Sequence, residues 1–306
     1  MDVLAIFNPN ASRVDDRTQD ATMRVLGSRG AVEAVRADHP FHAAELAAQA
    51  AAEGARLVVA VGGDGTANEA ANGLVGSATA LSCLPGGSSN VFARTLGAPS
   101  RLSVAAERLA LHLREPAVRP MSTGTVAGRH FLFMSGIGMT AAMMRRIDQR
   151  PVLRARLGAG YVAMGAALAL VEAGRGRLPP LVVDAGGERS PAATVIIQRS
   201  DPLTFFGSRP VRVCAPQSLG DETLSVALTD RAAPRDVASI FLRLLSGNAA
   251  RVIAHPRVSA FERLDELCVS SPDGRPFGVE VDGTYMGHVT SARYGVSAEP
   301  LLVAGY

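Results

Sequence analysis

An apolar segment runs directly into a glycine-rich turn that carries one carboxylate, within residues 58–70. The turn reads Gly-Gly-Asp-Gly-Thr at residues 62–66. Because glycine has no Cβ, this main chain can adopt angles closed to other residues and direct N–H donors at a polyphosphate. Thr66 can cap the helix that follows, and a helix N-terminus favours phosphate. We predict a phosphate site with Asp64 where substrate and metal would meet; a tight turn without a ligand is the alternative.

Two further polar loops follow apolar strands. The first is Asn-Pro-Asn-Ala-Ser at residues 8–12, and the second is Pro-Gly-Gly-Ser-Ser-Asn at residues 85–90. Parallel strands end at one edge of a sheet, where ligands of open α/β sheets bind. Together with the turn at residues 62–66, these loops therefore predict a cleft.

The elements that must position these loops follow an alternating pattern up to about residue 113. Apolar strands alternate with helical stretches, which predicts a parallel sheet covered by helices. The strands are expected at residues 3–7, 31–36, 57–61 and 80–84.

Beyond residue 116 the pattern changes to short strands separated by turn residues, which predicts a mainly antiparallel, β-rich second domain. The predicted domains are residues 1–117 and 118–295, with the tail at 296–306 packing back on the first. Strands are expected at residues 131–135, 181–184, 194–198 and 224–228, and helices at 141–147, 158–172 and 237–245.

The composition excludes several classes of chemistry. All 31 residues counted as Lys+Arg are arginine. A P-loop, a Schiff-base enzyme and a protein kinase each need a lysine, so these three classes are excluded. The net charge of +3 is mild, and no nucleic-acid partner is predicted. The three cysteines are far apart and the six histidines are scattered, so no metal spacing is predicted for either residue type.

The expected location is the cytoplasm. The N-terminus enters a strand without a leader pattern, and the uncharged stretch between Arg156 and Glu172 is short for a membrane span. An apolar helix is preceded by five arginines, at 145, 146, 150, 154 and 156. They predict peripheral contact with anionic lipids at the inner face of the membrane. A solvated basic face is the alternative.

The three loops in this order, followed by a β-rich second half, resemble the bacterial diacylglycerol kinase and lipid kinase family, which is related to sphingosine and ceramide kinases. In that family, Asn-Pro-x-Ala/Ser-Gly, Gly-Gly-Asp-Gly-Thr-x-Asn-Glu and Pro-x-Gly-Thr/Ser-x-Asn line a nucleotide cleft between two domains. The resemblance implies ATP contacts at Asn8, Pro9, Asn10, Ala11, Ser12, Gly62, Gly63, Asp64, Gly65, Thr66, Asn68, Glu69, Gly87, Ser88 and Asn90.

The resemblance also implies a Mg²⁺ site in a loop of the second domain. By position, the metal would be held through Asp221 and the main-chain oxygens of Ser218 and Thr223, which are hard ligands that suit Mg²⁺. The glycine that usually follows the aspartate is replaced by Glu222.

The family usually has a catalytic base in an Asp-Gly-Glu triplet, which here reads Asp282-Gly283-Thr284. With the carboxylate replaced by Thr284, the resemblance implies a slower or rerouted enzyme. Asp64, Asp282 or Glu280 could serve as the base, and we favour Asp64 because it lies in the phosphate turn.

The predicted function is an ATP-dependent lipid kinase that uses Mg²⁺ and takes a diacylglycerol-like substrate. Two alternatives stay open: a kinase-derived protein that binds lipid or nucleotide without turnover, and an NAD kinase, which also carries Gly-Gly-Asp-Gly. A homodimer stays open as well.

Overall fold

A computed structural model describes residues 2–149, 164–165, 168–169, 172, 178–215, 217–231 and 233–306. The chain forms two compact units: unit 1 is Met1–Thr123 with Ser297–Tyr306, and unit 2 is Gly124–Val296. The division falls after residue 123 rather than after residue 117, because a strand at Val118–Met121 still pairs within the sheet of unit 1.

Unit 1 is a six-stranded sheet with helices. Its strands are β1 (Val3–Phe7), β2 (Val32–Arg36), β3 (Leu57–Gly62), β4 (Ala80–Pro85), β5 (Val118–Met121) and β20 (Leu301–Ala304). Its helices are α1 (Asp16–Gly27), α2 (His42–Ala52), α3 (Asp64–Leu74), α4 (Val91–Thr95) and α5 (Leu102–His112). The strand order is β2-β1-β3-β4-β20-β5.

The first four strands of this sheet pair in parallel. Every residue of β1, β3 and β4 is buried, as expected for parallel strands covered on both faces. Leu26 of α1 and Leu109 of α5 belong to the core cluster formed with these strands. The loops after β1, β3 and β4 consequently emerge at the same edge of the sheet.

The C-terminal segment completes unit 1. Strand β20 pairs antiparallel with β5 and in parallel with β4. The Tyr306 hydroxyl donates a hydrogen bond to the main-chain oxygen of Cys83, at 2.6 Å.

Unit 2 contains the remaining strands, with helices between them. Its strands are β6 (Gly124–Val126), β7 (Arg129–Phe131), β8 (Met134–Gly138), β9 (Leu181–Ala185), β10 (Glu188–Ala192), β11 (Thr194–Gln198), β12 (Thr204–Phe206), β13 (Arg209–Val211), β14 (Leu224–Thr229), β15 (Val258–Leu264), β16 (Glu266–Ser270), β17 (Phe277–Val281), β18 (Thr284–Val289) and β19 (Ser291–Val296). Its described helices are α6 (Met139–Asp148), α7 (Pro234–Leu244) and α8 (Ala249–Ile253).

Two six-stranded sheets, β10-β9-β16-β19-β6-β7 and β15-β14-β11-β8-β17-β18, make up most of unit 2. Their strand pairs are antiparallel. Residues of both sheets, such as Val183 and Val226, share one apolar core. The predicted fold class, a parallel α/β region followed by an antiparallel β-rich region, is confirmed.

No helix within the described ranges combines the length and apolar character needed to cross a membrane. Most of the helix predicted at residues 158–172 lies outside these ranges.

Candidate functional site

The three polar loops of unit 1 contact one another directly. The side-chain amide of Asn8 donates to Thr66 Oγ1 at 2.9 Å, which joins the first loop to α3. The main-chain N–H of Gly86 donates to the oxygen of Gly62 at 2.8 Å, and that of Arg13 donates to Gly86 at 2.9 Å. The structure therefore brings the predicted loops together at one edge of the sheet.

The glycines allow this contact by their small size. A Cβ on Gly87 would lie 2.6 Å from Gly63 Cα, and one on Gly86 would lie 3.0 Å from Gly62 Cα. The prediction that residues 62, 63 and 65 use unusual backbone angles is wrong: none of them has positive φ, and Gly63 has φ of −92°. Close packing between two loops is the reason for glycine here.

Thr66 does not cap α3, contrary to the sequence prediction. Helix α3 begins at Asp64, its N-cap is Gly63, and no side chain caps it. Thr66 is buried as the third residue of the helix, three positions after the N-cap, and its hydroxyl accepts the hydrogen bond from Asn8. The first-turn N–H groups of α3 have no acceptor within the helix, which suits the binding of an anion.

Asp64 is the carboxylate at this edge of the sheet. Its Oδ1 accepts a hydrogen bond from the main-chain N–H of Phe92 in α4, at 2.9 Å, and the residue is partly exposed. Burial lowers the pKa of the Arg94 guanidinium, and the charge of Asp64 opposes this effect. Burial, and then the charge of Asp64, raise the pKa of the Cys83 thiol. The site thus pairs a carboxylate with a nearby arginine.

Asn90 shapes its own loop. Its Oδ1 accepts from the N–H of Gly87 and its Nδ2 donates to the oxygen of Gly87, both at 2.7 Å. Its φ of 50° lies in the left-handed region, which asparagine adopts more readily than most residues. This clamp leaves Ser88 and Ser89 exposed at the tip of the loop.

The other predicted nucleotide contacts lie in the first loop and on α3. The N–H of Asn10 donates to Asn8 Oδ1 at 2.9 Å, so Asn8 orders that loop. Asn68 is buried and accepts hydrogen bonds from the Asn72 side chain, whereas Glu69 is half-buried. The exposed or half-buried members of the first loop are Pro9, Asn10, Ala11 and Ser12.

The loop predicted to bind Mg²⁺ already contains a cationic side chain. Arg199 donates to the main-chain oxygens of Ser218, Leu219 and Asp221. The Asp221 carboxylate accepts from the N–H and the hydroxyl of Ser218, at 2.8 and 2.7 Å. These Ser218 hydrogen bonds lower the pKa of Asp221.

The third predicted ligand is engaged too, since the oxygen of Thr223 accepts from Gln217 Nε2 at 3.3 Å. The oxygens assigned to a metal are therefore occupied by protein donors, and a guanidinium lies among them. This arrangement does not fit a Mg²⁺ site.

Asp282 anchors a turn. With φ of 46° at Asp282 and 78° at Gly283, the pair forms the two-residue connection between β17 and β18 that Asp-Gly favours. The carboxylate, which is 1% exposed, accepts from the N–H groups of Leu132, Phe133 and Met134 at 2.7, 3.0 and 3.1 Å.

This contact also corrects the strand predicted at residues 131–135. The chain leaves one six-stranded sheet of unit 2 after Phe131 and enters the other at Met134, and the intervening N–H groups turn towards the carboxylate. Asp282 is closed to solvent, so we assign it to the turn rather than to catalysis. Thr284 is exposed as the first residue of β18 and carries a hydroxyl where the family has its base.

Glu280 is a buried acid two residues before this turn. It is 3% exposed, and its Oε2 has no hydrogen-bond partner. Burial, and then the nearby charge of Asp282, raise the pKa of Glu280 to about 8. The folded protein therefore holds this carboxyl protonated at neutral pH.

We expect Glu280→Gln to stabilise the protein at pH 8 but not at about pH 5. The pKa of Glu280 in the fold lies above its ordinary value of 4.5, so the folded state binds more protons between pH 4.5 and about 8, and stability falls as pH rises through that window. A shift of this size costs about 4 kcal/mol at pH 8. Denaturant unfolding at both pH values measures it.

The matched control is Glu266→Gln, which changes an exposed acid whose ion pair with Arg293 spans 3.4 Å. This variant should shift stability by less than about 1 kcal/mol at either pH. Equal pH dependence in Glu280→Gln and wild type would contradict a protonated Glu280.

The prediction that no histidines cluster at metal spacing is wrong. Ligand atoms of His39, His42 and Glu45 lie within 4.8 Å of one another, and the His-x2-His-x2-Glu spacing was a signal for this. However, the N–H of Asp38 donates to His42 Nδ1 at 3.1 Å, so Nε2 of the neutral ring carries the proton and cannot ligate. We therefore assign no metal to this cluster.

Two of the five arginines predicted to contact a membrane are ion-paired. Arg146 and Arg145 lie 2.5 and 3.8 Å from Glu172 Oε1. The other three, at 150, 154 and 156, lie outside the described residues.

The family model of the diacylglycerol kinase catalytic domain matches residues 2–126, which include all three loops. This part of the chain is therefore similar to that family. The resemblance seen in the sequence is thereby confirmed, and the loops at the sheet edge of unit 1 lie within the matched residues.

Curated relatives are similar to part of this chain. The protein named "Probable lipid kinase YegS-like" from Pseudomonas syringae is 37% identical over 127 residues, which are 40% of this chain and 39% of the relative. A diacylglycerol kinase from Bacillus subtilis is 36% identical over 98 residues, 31% of each chain. The chain thus spans about two fifths or less of the length of these relatives.

A solved structure covers the whole chain. The crystal structure of a diacylglycerol kinase from Bacillus anthracis covers 100% of this chain and 97% of its own, with a TM-score of 0.67 and 17% sequence identity. At this identity, the likeness establishes a common fold.

The sequence did not single out Arg94 or Arg199. Arg94 lies four residues after Asn90, and residues with this spacing share one face of a helix. This spacing could have indicated that Arg94 lies near the loop that ends at Asn90. Arg199 follows β11 and lies about twenty residues from the loop it contacts, and no local pattern indicates that contact.

Proposed function

We propose that this protein is an ATP-dependent lipid kinase that transfers the γ-phosphate of Mg-ATP to the hydroxyl of a diacylglycerol-like lipid. One observation carries the proposal: the uncapped N-terminus of α3 lies against the loop at residues 86–89, through the close contact of Gly63 and Gly87. Two sets of main-chain N–H donors are thus adjacent at the edge of a parallel sheet. The catalytic domain family and the names of the relatives agree with it.

The phosphates would be bound chiefly by the main chain. The N–H groups of Asp64 and Gly65 begin a helix, and those of Ser88 and Ser89 lie in an exposed loop. Main-chain N–H groups of this kind can bind an anion even though the protein has no lysine. Arg94 supplies a positive charge close to Asp64. Mg²⁺ enters with the nucleotide, as part of the substrate.

Asp64 would accept the proton of the attacking hydroxyl. Its hydrogen bond from Phe92 holds the carboxylate in place, and its partial exposure leaves it accessible to substrate. Phosphoryl transfer passes through a loose transition state in which positioning and charge stabilisation dominate. The proposal therefore does not require a carboxylate at Thr284.

The acceptor is a lipid, so the proposal includes peripheral contact with an anionic membrane surface and a pocket for acyl chains in unit 2. The relatives named above as lipid kinase and diacylglycerol kinase support this choice of acceptor. Thr284 favours one second candidate, a kinase-derived protein that binds nucleotide and lipid without turnover.

The test is transfer of labelled γ-phosphate from Mg-ATP to diacylglycerol, sphingosine and phosphatidylglycerol in mixed micelles, with NAD as a further acceptor. We expect label in diacylglycerol. Label in NAD would instead identify an NAD kinase, and ATP binding without any transfer would favour the binding protein. Absence of ATP binding would refute all three.

Gly87→Ala should weaken ATP binding about ten- to a hundredfold. The Cβ of alanine would lie 2.6 Å from Gly63 Cα. Overpacking of this kind costs about 1–3 kcal/mol, which corresponds to a change in Kd of roughly the size stated. Gly30→Ala is the matched control, because a Cβ there meets no heavy atom within 4 Å. Titration calorimetry compares them; equal affinity would show that the loop contact is not used in binding.

A further inference from the structure

Arg199 is the most deeply buried charged side chain of unit 2 among the described residues, with 0% of its surface exposed. It directly follows β11, and its N–H donates to the main-chain oxygen of Phe133 at 2.9 Å. The backbone of Arg199 is therefore held at the end of β11 by the segment between β7 and β8, and its side chain extends to a different segment.

That segment is the tight turn at residues 218–221. Nη2 of Arg199 donates to the main-chain oxygen of Leu219 at 3.0 Å and to that of Asp221, and Nη1 donates to that of Ser218 at 3.5 Å. The turn is closed by the N–H of Asp221, which donates to the oxygen of Ser218 at 3.3 Å. Three main-chain oxygens of one turn thus converge on one guanidinium.

Converging main-chain oxygens next to a carboxylate are what proteins use to hold a hard cation. Here the positive charge belongs to the chain itself. Burial lowers the pKa of Arg199 to about 10, and the charges of Asp221 and Glu222 oppose that effect, so the side chain stays charged at neutral pH. The Asp221 carboxylate is directed to Ser218.

We propose that the guanidinium of Arg199 takes the place of a divalent metal ion in the turn at residues 218–221, so that this turn binds no metal. Because the guanidinium is part of the chain, neither a chelator nor dilution can remove it. Divalent ions then act on this protein through the nucleotide alone. This inference concerns the turn itself and holds whether or not the protein is a kinase.

The first experiment titrates the nucleotide-free full chain with Mn²⁺ and follows the free ion by electron paramagnetic resonance. We expect no saturable site with a Kd tighter than about 10⁻³ M, the weak end of protein sites for hard cations. The melting temperature should be the same in Mg²⁺ and in EDTA. One bound Mn²⁺ per chain that disappears in Asp221→Asn would overturn the proposal.

The second experiment removes the internal cation. Arg199→Gln leaves the converging oxygens without a positive charge, so we expect a lower melting temperature in EDTA and partial recovery in Mg²⁺. The same variant should gain a Mn²⁺ site, and Arg199→Gln with Asp221→Asn should lose it. A folded Arg199→Gln that gains no metal response would show that the turn is not a cation position and would overturn the assignment.

Arg199→Lys is the conservative variant. It keeps one positive charge, so it should melt at the same temperature in Mg²⁺ and EDTA; a response to Mg²⁺ would count against the proposal. Should Arg199→Gln fail to fold, this variant and the Mn²⁺ titration of the wild type still decide the question, without any assay of kinase activity.

Discussion

Asp64→Asn should lower kcat for phosphate transfer by about 10²–10⁴-fold, the usual contribution of a general base. Asparagine keeps the shape of the side chain and an oxygen that can accept from the N–H of Phe92, so the loop should keep its structure. The change removes the charge and the basicity of the carboxylate. KM for ATP should change much less than kcat, because main-chain donors bind the phosphates.

Steady-state kinetics with the lipid acceptor that the transfer assay identifies measures this effect, and the melting temperature checks the fold. Asp20→Asn is the matched control, since it alters an exposed acid on α1 and should retain wild-type turnover. Full activity of Asp64→Asn would assign the proton to another group. An equal loss in both variants would show that the assay reports stability rather than catalysis.

Asp282→Ala should cost unit 2 about 3–5 kcal/mol of stability. The N–H groups of Leu132, Phe133 and Met134 would lose their acceptor, and an unsatisfied buried donor costs about 1–3 kcal/mol. Alanine also fits poorly at φ of 46°. Asp282→Asn should lose less, because asparagine tolerates this backbone and keeps one acceptor oxygen.

Hydrogen exchange of the amides at residues 132–134, together with denaturant unfolding, measures the effect. We expect these amides to lose protection in Asp282→Ala first. Asp184→Ala changes an exposed aspartate of the same unit, 4.0 Å from Arg189, and should shift stability by less than about 1 kcal/mol. Stability of Asp282→Ala equal to that of this control would contradict the anchoring role.

The arrangement of the phosphate loops was predictable because parallel strands impose it. Once β1, β3 and β4 are recognised from their apolar runs, their carboxyl ends must share one edge, and the loops at residues 8–12, 62–66 and 85–90 must meet there. The reason for the glycines was not predictable in the same way. A Gly-Gly pair suits positive φ and close packing alike, and only the contact of Gly63 with Gly87 distinguishes them.

The role of Asp282 in unit 2 could not be predicted from local sequence either. Asp-Gly between apolar strands is compatible with a hairpin turn and with a catalytic motif. The partners of its carboxylate lie about 150 residues earlier in the chain, where the apolar pattern at residues 131–135 suggests an unbroken strand. Glu280 is a second buried acid, and its burial depends on how strands far apart in sequence pack.

Local patterns were thus sufficient for the order of strands and helices up to about residue 113, for the chemistry excluded by the absence of lysine, and for the resemblance of residues 2–126 to a kinase family, because each can be read from the chain itself. Charge neutralisation and burial depend on partners brought together by folding. The turn at residues 218–221 is the plainest case: the family resemblance implies a metal site there, whereas in the folded protein the guanidinium of Arg199, which follows β11, contacts its main-chain oxygens.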